Sequence, residues 1–387
     1  MNNSILDEIK EGGYSLHKLA GSHPELLALE GVPQNPEYHG EGDVLRHTEL
    51  VCGELTGLPM WQALPEKEKA LLFLAAAFHD IGKSVCTKQE DGKWISPKHT
   101  VVGEKIFRRI AYQEAERFGL TFAQRELVAK LIRFHGLPLW FWGKKHPDAE
   151  LLKAAESIPM KLLYLLARAD TQGRQDAIPD RLPGQVELFA EYVRELGIWE
   201  QPYPFANSYT RFRFFQKENL WQDTQLYDDT TFDVIMMSGL PLSGKDTWIG
   251  RMSGILPLDG RPPVISLDDL REEMGIPPTK ASGKVIQAAL ELARQYLRRR
   301  QPFIWNATNL LQETRQKLVR LFADYGARVT ILYLEVPYQE LLRRNRSRPR
   351  HIPETVLDEM IRKLEVPAPW EAYRVTLPAP DTPACEA

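Results

Sequence analysis

The segment Gly239-Leu-Pro-Leu-Ser243-Gly244-Lys245-Asp246-Thr247 constrains this chain more than any other. It follows a short apolar run, Phe232–Ser238, and opens a helical pattern over 244–252. Glycines bounding a loop between strand and helix let backbone N–H groups turn inward, and the helix N-terminus adds partial positive charge. Such a P-loop cradles phosphate oxygens, and its lysine reaches the terminal phosphates of a nucleotide. One position is irregular. The residue after the lysine is ordinarily Ser or Thr, whose hydroxyl binds Mg²⁺; here it is Asp246, with Thr247 next. A carboxylate is itself a hard oxygen ligand. Gly239, Ser243, Gly244, Lys245, Asp246 and Thr247 are therefore the expected nucleotide-binding set, for ATP or another nucleoside triphosphate with Mg²⁺.

The loop also sets what surrounds it. Segments 264–267, 303–305 and 328–334 read as further buried strands, with helical patterns over 283–300, 312–325 and 338–345. Alternating strands and helices predict a parallel sheet with crossover helices. Upstream the period differs. Over 65–196 one helix follows another, at 67–79, 104–117, 123–134, 150–156 and 161–169, each with apolar residues at helical spacing. The expected fold is multidomain: an all-α domain over 1–198, a structured connector over 199–230 and an α/β P-loop domain over 231–387, in keeping with a length of 387 residues. The connector is rich in aromatics (QPYPFANSYTRFRFFQKENLWQ), which are expected to pack between the domains. The other reading of 209–217 is a base-stacking surface, because its aromatics interleave with Arg211, Arg213 and Lys217.

A formal charge of −3 and a pI near 6.4 exclude a generally basic coat, so any polyanion site must be a local patch. Cys52, Cys86 and Cys385 have neither metal-type nor disulfide-framework spacing, which fits a reducing, cytoplasmic setting. The start, MNNSILDEIKEGG, lacks the basic and apolar regions of a signal peptide, and no apolar stretch approaches the roughly 18 residues that span a bilayer. No membrane partner is expected.

Three segments follow the P-loop: Ser266-Leu-Asp268-Asp269-Leu-Arg271, Trp305-Asn306-Ala-Thr308-Asn309-Leu310, and Val336-Pro-Tyr-Gln-Glu340-Leu-Leu-Arg343-Arg344-Asn345-Arg346-Ser-Arg348. With the loop they resemble the polynucleotide 5′-kinases of the phage and bacterial end-healing group, over about 232–369. The resemblance implies that Asp268 is the general base on an acceptor hydroxyl and that Arg271 contacts the adjoining phosphate. It makes Arg344 and Arg348 lid arginines clamping the donor phosphates, work that suits a planar, permanently charged fork. Asn306 stands near a position where the family often has Asp. Two plainer readings stand beside these: Asp268 or Asp269 caps the following helix, and the arginine run is a solvated face.

In the first half, His79-Asp80 ends an apolar helix, FLAAAFHDIGK. His47, His99, His135 and Asp170 lie on or beside other apolar helices, where unpaired polar groups are costly. Imidazole with carboxylate suits Mn, Fe, Co, Ni or Zn better than Ca. The order His, His-Asp, His, His, Asp resembles the HD phosphohydrolase superfamily, over about 43–173. The resemblance makes His47, His79, Asp80 and Asp170 the core metal quartet. His99 and His135 become the extra ligands of two-metal members, and Lys83 a phosphate-contacting lysine. In that chemistry a metal-activated water attacks phosphorus.

An HD hydrolase followed by a polynucleotide kinase resembles the bacterial two-domain enzymes that heal RNA and DNA ends. That implies removal of a 2′-, 3′- or 2′,3′-cyclic phosphate from one end and phosphorylation of a 5′-hydroxyl on the other. No ligase segment is visible, so sealing is expected to fall to a separate nucleic-acid ligase. Two other readings are a nucleotide-metabolism enzyme, with an HD nucleotidase fused to a small-molecule kinase, and a nucleotide sensor whose P-loop binds without turnover. Asp246 is the feature that favours the sensor.

Overall fold

The computed structural model describes residues 4–175, 181–216, 220–251, 262–277, 280, 282–349 and 351–378. Position 252 of the expected helical pattern, Lys217 and Cys385 lie outside them. Among the described residues the chain divides into two compact units, meeting at Tyr203 and Pro204. No helix among them is long and apolar enough to cross a membrane.

The first unit is built around the Glu66–Phe78 helix, in which Ala70 to Phe78 are all buried. From Ala70 onward the helix is apolar all round, has no solvent face and becomes the centre of its domain. The Val44–Gly57, Phe122–Phe134 and Met160–Gln172 helices pack on it. Thr121 caps the Phe122–Phe134 helix in a capping box with Gln124. Two departures from the sequence reading matter. The helix expected from residue 104 begins at His99, where Lys98 takes a left-handed conformation as the preceding residue. And the unit is not wholly helical: β1 (Lys88–Glu90) and β2 (Lys93–Ile95) form an antiparallel hairpin around Asp91-Gly92. Its residues are exposed except for the half-buried Ile95, so no core alternation marks it in the sequence.

The second unit holds a five-stranded parallel sheet in the order β4-β5-β3-β6-β7, with β3 at Phe232–Ser238, β4 at Val264–Ser266, β5 at Phe303–Asn306, β6 at Ala327–Tyr333 and β7 at Arg374–Thr376. Successive side chains of β3 face opposite sides, as the pleat requires. Val234 and Met236 meet Ala289, Ala293 and Phe322 from the Ser282–Arg298 and Gln312–Asp324 helices. Ile235 and Met237 face Trp248 and Ile249 of the Lys245–Arg251 helix. Both faces are thus covered, which is why the strands read as continuous apolar runs. From Pro204 on, the residues expected to form a connector belong to this unit. Residues Ser208–Gln216 form a helix of this unit, Phe212 joins its core, and Arg211 donates to the carbonyls of Pro369 and Tyr373. Phe205, Phe214, Phe215 and Trp370 extend this packing ring against ring, whereas Trp221 is 77% exposed.

Arg315 is the buried polar anchor of this unit. Its guanidinium pairs with both Glu371 oxygens (2.7 and 2.9 Å) and donates to the carbonyls of Asn309, Leu310 and Glu365. Glu371→Ala would strand that cation in the interior and is expected to destabilise the unit by about 3–5 kcal/mol. In urea its unfolding midpoint should fall; an unchanged midpoint would contradict the assignment.

Candidate active sites

Five elements deliver the polar set of the first unit. His79 ends the central helix and His135 ends the Phe122–Phe134 helix; each Nδ1 lies within hydrogen-bond distance of the carbonyl three residues back, Ala76 (2.7 Å) and Ile132 (2.9 Å). His99 opens its helix and makes the same contact with Ser96 (2.8 Å). His47 and Asp170 come from the Val44–Gly57 and Met160–Gln172 helices. Glycines permit the approach. A Cβ on Gly82 would lie 2.1 Å from the His99 carbonyl, and one on Gly173 would lie 2.8 Å from the Val51 amide.

Asp80 is the hub. Its Oδ2 lies 3.3 Å from His79 Nε2 and 3.8 Å from His47 Nε2; its Oδ1 lies 3.5 Å from His99 Nε2 and 3.7 Å from His135 Nε2. His47 Nε2 is also 3.1 Å from Asp170 Oδ1. Among the described residues three donor groups result, His47–His79–Asp170, Asp80–His99–His135 and His39–Glu41–His47. With the Nδ1 protons committed to carbonyls, the Nε2 lone pairs of His79, His99 and His135 face carboxylate oxygens, an arrangement that calls for cations between them. Asp80 Oδ1 and His79 Nε2 are buried with no hydrogen-bond partner. These donors therefore fit divalent metal, and the nitrogen–oxygen mixture suits the transition ions named above.

The electrostatics agree. Burial opposes ionisation of Asp80 and Asp170, yet neighbouring cations hold both well below the usual carboxylate range: Lys83 and His79 beside Asp80, Arg174 and His47 beside Asp170. Lys83 Nζ is 2.7 Å from Asp80 Oδ2, and Arg174 grips both Asp170 oxygens (3.0 and 2.7 Å). Burial pushes His135 down to about 3 and lowers His99, keeping both imidazoles neutral as ligands must be. For His79 burial is outweighed by Asp80 and Asp170, which raise it.

Sequence reasoning missed the layer behind these residues. Glu41, its side chain fully buried, sits 2.8 Å from both His39 Nδ1 and His47 Nδ1 and accepts from the Gln175 amide. The hydrogen bond of His47 runs through Nε2 to Asp170 Oδ1, so Glu41 meets the other ring nitrogen as a buried anionic neighbour. Lys83 Nζ also donates to Gln34 (2.7 Å). Arg174 lies just past the Met160–Gln172 helix, beyond Gly173, and no helical periodicity marks it.

In the second unit the P-loop takes backbone that side chains resist: φ is +142° at Gly239 and +95° at Gly244, and a Cβ on Gly239 would meet the Leu334 carbonyl at 2.2 Å. Lys245 is folded onto the loop, donating to the carbonyls of Gly239 (3.1 Å) and Leu240 (2.7 Å), with Ser243 Oγ at 3.5 Å. Burial lowers its amine to about 8, against the pull of Asp246 and Asp268. Asp246 and Thr247 are exposed. Asn306 donates to Asp246 (2.7 Å), and its own Oδ1 is buried without a partner. Asn309 braces the strand end, donating to the Met237 carbonyl and accepting Ser238 Oγ–H at its own.

Ser266 is the N-cap of the Leu267–Glu273 helix, accepting from the Asp269 amide, so neither Asp268 nor Asp269 fills that position. Asp268 is exposed. Arg344 bridges Glu340 (2.6 Å) and the Leu242 carbonyl of the P-loop (3.0 Å). Arg271 donates to the carbonyls of Pro277 and Lys280 and to Ser282, and Arg348 is exposed beyond the Tyr338–Arg346 helix.

Residues 43–160 match the HD domain family and residues 234–367 an AAA domain family. Among curated proteins the chain is similar to the multifunctional CCA protein of Vibrio campbellii, 27% identical over 189 residues (49% of this chain, 39% of that protein). It is also similar to those of Thioalkalivibrio sulfidiphilus, 30% identical over 190 residues (49% and 39%), and Acinetobacter baumannii, 27% identical over 191 residues (47% and 37%). The matched stretches cover less than two fifths of these relatives. The chain thus carries an HD domain, a type that implies a divalent metal, ahead of a P-loop domain, which implies a nucleotide with Mg²⁺.

Removing the carboxylate behind His47 tests the first site. Glu41→Gln is expected to weaken Mn²⁺ binding by roughly 10–100-fold. Titration calorimetry on the metal-stripped protein reads this directly; wild-type affinity in the variant would contradict it.

Proposed function

We propose that the chain heals nucleic-acid ends: its HD domain removes a 2′-, 3′- or 2′,3′-cyclic phosphate, and its P-loop domain moves the γ-phosphate of ATP to a 5′-hydroxyl of RNA or DNA. A nucleic-acid ligase would take the products. The observation that carries the kinase half is Asp268. It stands exposed at the start of a helix capped by another residue, near enough to Lys245 to act on it electrostatically. A carboxylate so placed can take the acceptor proton while Lys245 and the P-loop amides hold the donor phosphates. Arg344, already resting on the P-loop carbonyl of Leu242, is the clamp closest to hand; Arg348 would join it on closure. Arg271 would exchange its backbone contacts for the phosphate beside the acceptor. Asp246, oriented by Asn306, supplies the hard oxygen ligand that Ser or Thr provides elsewhere.

In the HD domain His47, His79, Asp80, His99, His135 and Asp170 would hold the metal. Bound divalent ions would supply Lewis acidity and an activated water. Around them Lys83 and Arg174 place positive charge against the carboxylates and in the cavity wall, where a phosphate ester would arrive.

Incubation with ATP, a divalent metal and an oligonucleotide bearing a 5′-hydroxyl and a 2′,3′-cyclic phosphate, followed by analysis of both termini, tests the whole reading. Both ends should change. Asp80→Ala should abolish the 3′ reaction and spare the 5′ one, and Asp268→Ala the reverse. Phosphorylation of free nucleosides in preference to oligonucleotides would favour a small-molecule kinase, and no turnover with any acceptor would favour a sensor.

Lys245 adds a pH dependence. It is cationic below about 8 and loses its charge above, so ATP affinity of the free protein should weaken as pH rises through that value. Fluorescent-nucleotide titration from pH 7 to 9 checks this; affinity that is flat across the range would contradict it.

A further inference from the structure

The run Leu137-Pro-Leu-Trp140-Phe-Trp142 offers no metal-ligating side chain. Among the described residues of the first unit the exposed aromatics are Tyr38 (37%), Trp94 (37%), Trp140 (50%) and Trp142 (45%). Trp140 and Trp142 leave about half of their surface in solvent, more than rings of this size usually do. Three of the four, Tyr38, Trp94 and Trp140, line one cavity of about 570 Å³, whose wall also includes Asp80, His99 and His135. They reach it from separate elements. Tyr38 precedes His39 in a loop, Trp94 lies on β2, and Trp140 ends a short helix, Leu137–Trp140, just after His135. The hairpin carrying Trp94 buries almost nothing of its own, and a two-stranded ribbon is marginal by itself. Its contribution to this unit is the wall it adds to the cavity. Arg133, Lys144 and Arg174 line the same cavity.

Flat π-faces interleaved with cations are how proteins hold single-stranded nucleic acid: bases stack on the rings and the cations follow the backbone. A base inside a duplex has its faces already covered, so such a rim favours an unpaired end. We infer that Tyr38, Trp94 and Trp140 form a stacking rim that grips the terminal nucleotide of a single-stranded 3′ end while its phosphate reaches the histidine–aspartate centre. The inference rests on the phosphate-removing reading of that centre and names its substrate: the base is recognised by stacking, with little preference among the four.

The test uses the full-length protein and single-stranded oligonucleotides carrying a 3′-phosphate on either a normal terminal nucleotide or an abasic one. Wild type should show a KM about tenfold lower for the base-bearing end, the size expected from one stacked base. In Trp94→Ala and Trp140→Ala that ratio should fall toward one, whereas Trp140→Phe, which keeps a ring, should retain most of it. Equal KM for the two ends in wild type would overturn the inference, as would an unchanged ratio in both alanine variants. So would a blunt duplex end processed with the same KM as the single strand. Binding is read separately, by tryptophan fluorescence on the metal-stripped protein. Tighter binding of the base-bearing end, lost in the double alanine variant, supports the rim even where hydrolysis is absent, and then only the phosphate-removing reading fails. Equal binding of both oligonucleotides overturns the rim itself.

Discussion

A single buried carboxylate organises the first half of this protein. Asp80 offers one oxygen to His47 and His79 and the other to His99 and His135. Ionising a carboxyl in a protein interior is expensive unless cations surround it. Here Lys83 and the imidazoles do so, and a metal pair would do so more completely. The fold can be read as the means of assembling that environment. A helix apolar from Ala70 onward leads into Asp80, two other helices end or begin on its histidines, and the missing side chains of Gly82 and Gly173 allow close approach to His99 and to Val51.

The second unit solves a related problem with a cation at the centre. Lys245 is buried against carbonyls of its own loop, ready to exchange them for phosphate oxygens. Its surroundings differ from the usual P-loop in where the negative charge sits. The carboxylate is at the start of the helix, Asp246, and the amide is at the end of the strand, Asn306, with a hydrogen bond joining them. The two positions thus keep one carboxylate between them, and Asn306 retains an unpartnered oxygen facing the interior.

Much of this was legible in the sequence. The period change from helical to alternating elements, the apolar run before Gly239 and the helix ending at His79-Asp80 all appear in the structure in the order read. Their signals are local: apolar spacing and glycine placement. What escaped was non-local or unpatterned. The β1–β2 hairpin has no buried face, so no alternation announces it. Apolar spacing marks the helix that begins at His99 only from residue 104, because its first turn is partly buried and Lys98 offers no capping side chain. Glu41 lies in a loop between His39 and the helix that carries His47, beside Gly42 with its φ of +122°, and nothing in its immediate neighbours marks it as buried. The aromatics of 205–215 looked like interdomain packing because composition alone does not say which body a helix joins.

The most direct measurement is anomalous diffraction from crystals soaked in Mn²⁺. Two peaks are predicted, one on each side of Asp80, the first within bonding distance of His47, His79 and Asp170 and the second of His99 and His135. A peak elsewhere, or none with Asp80 ordered, would contradict the proposal that these residues hold metal.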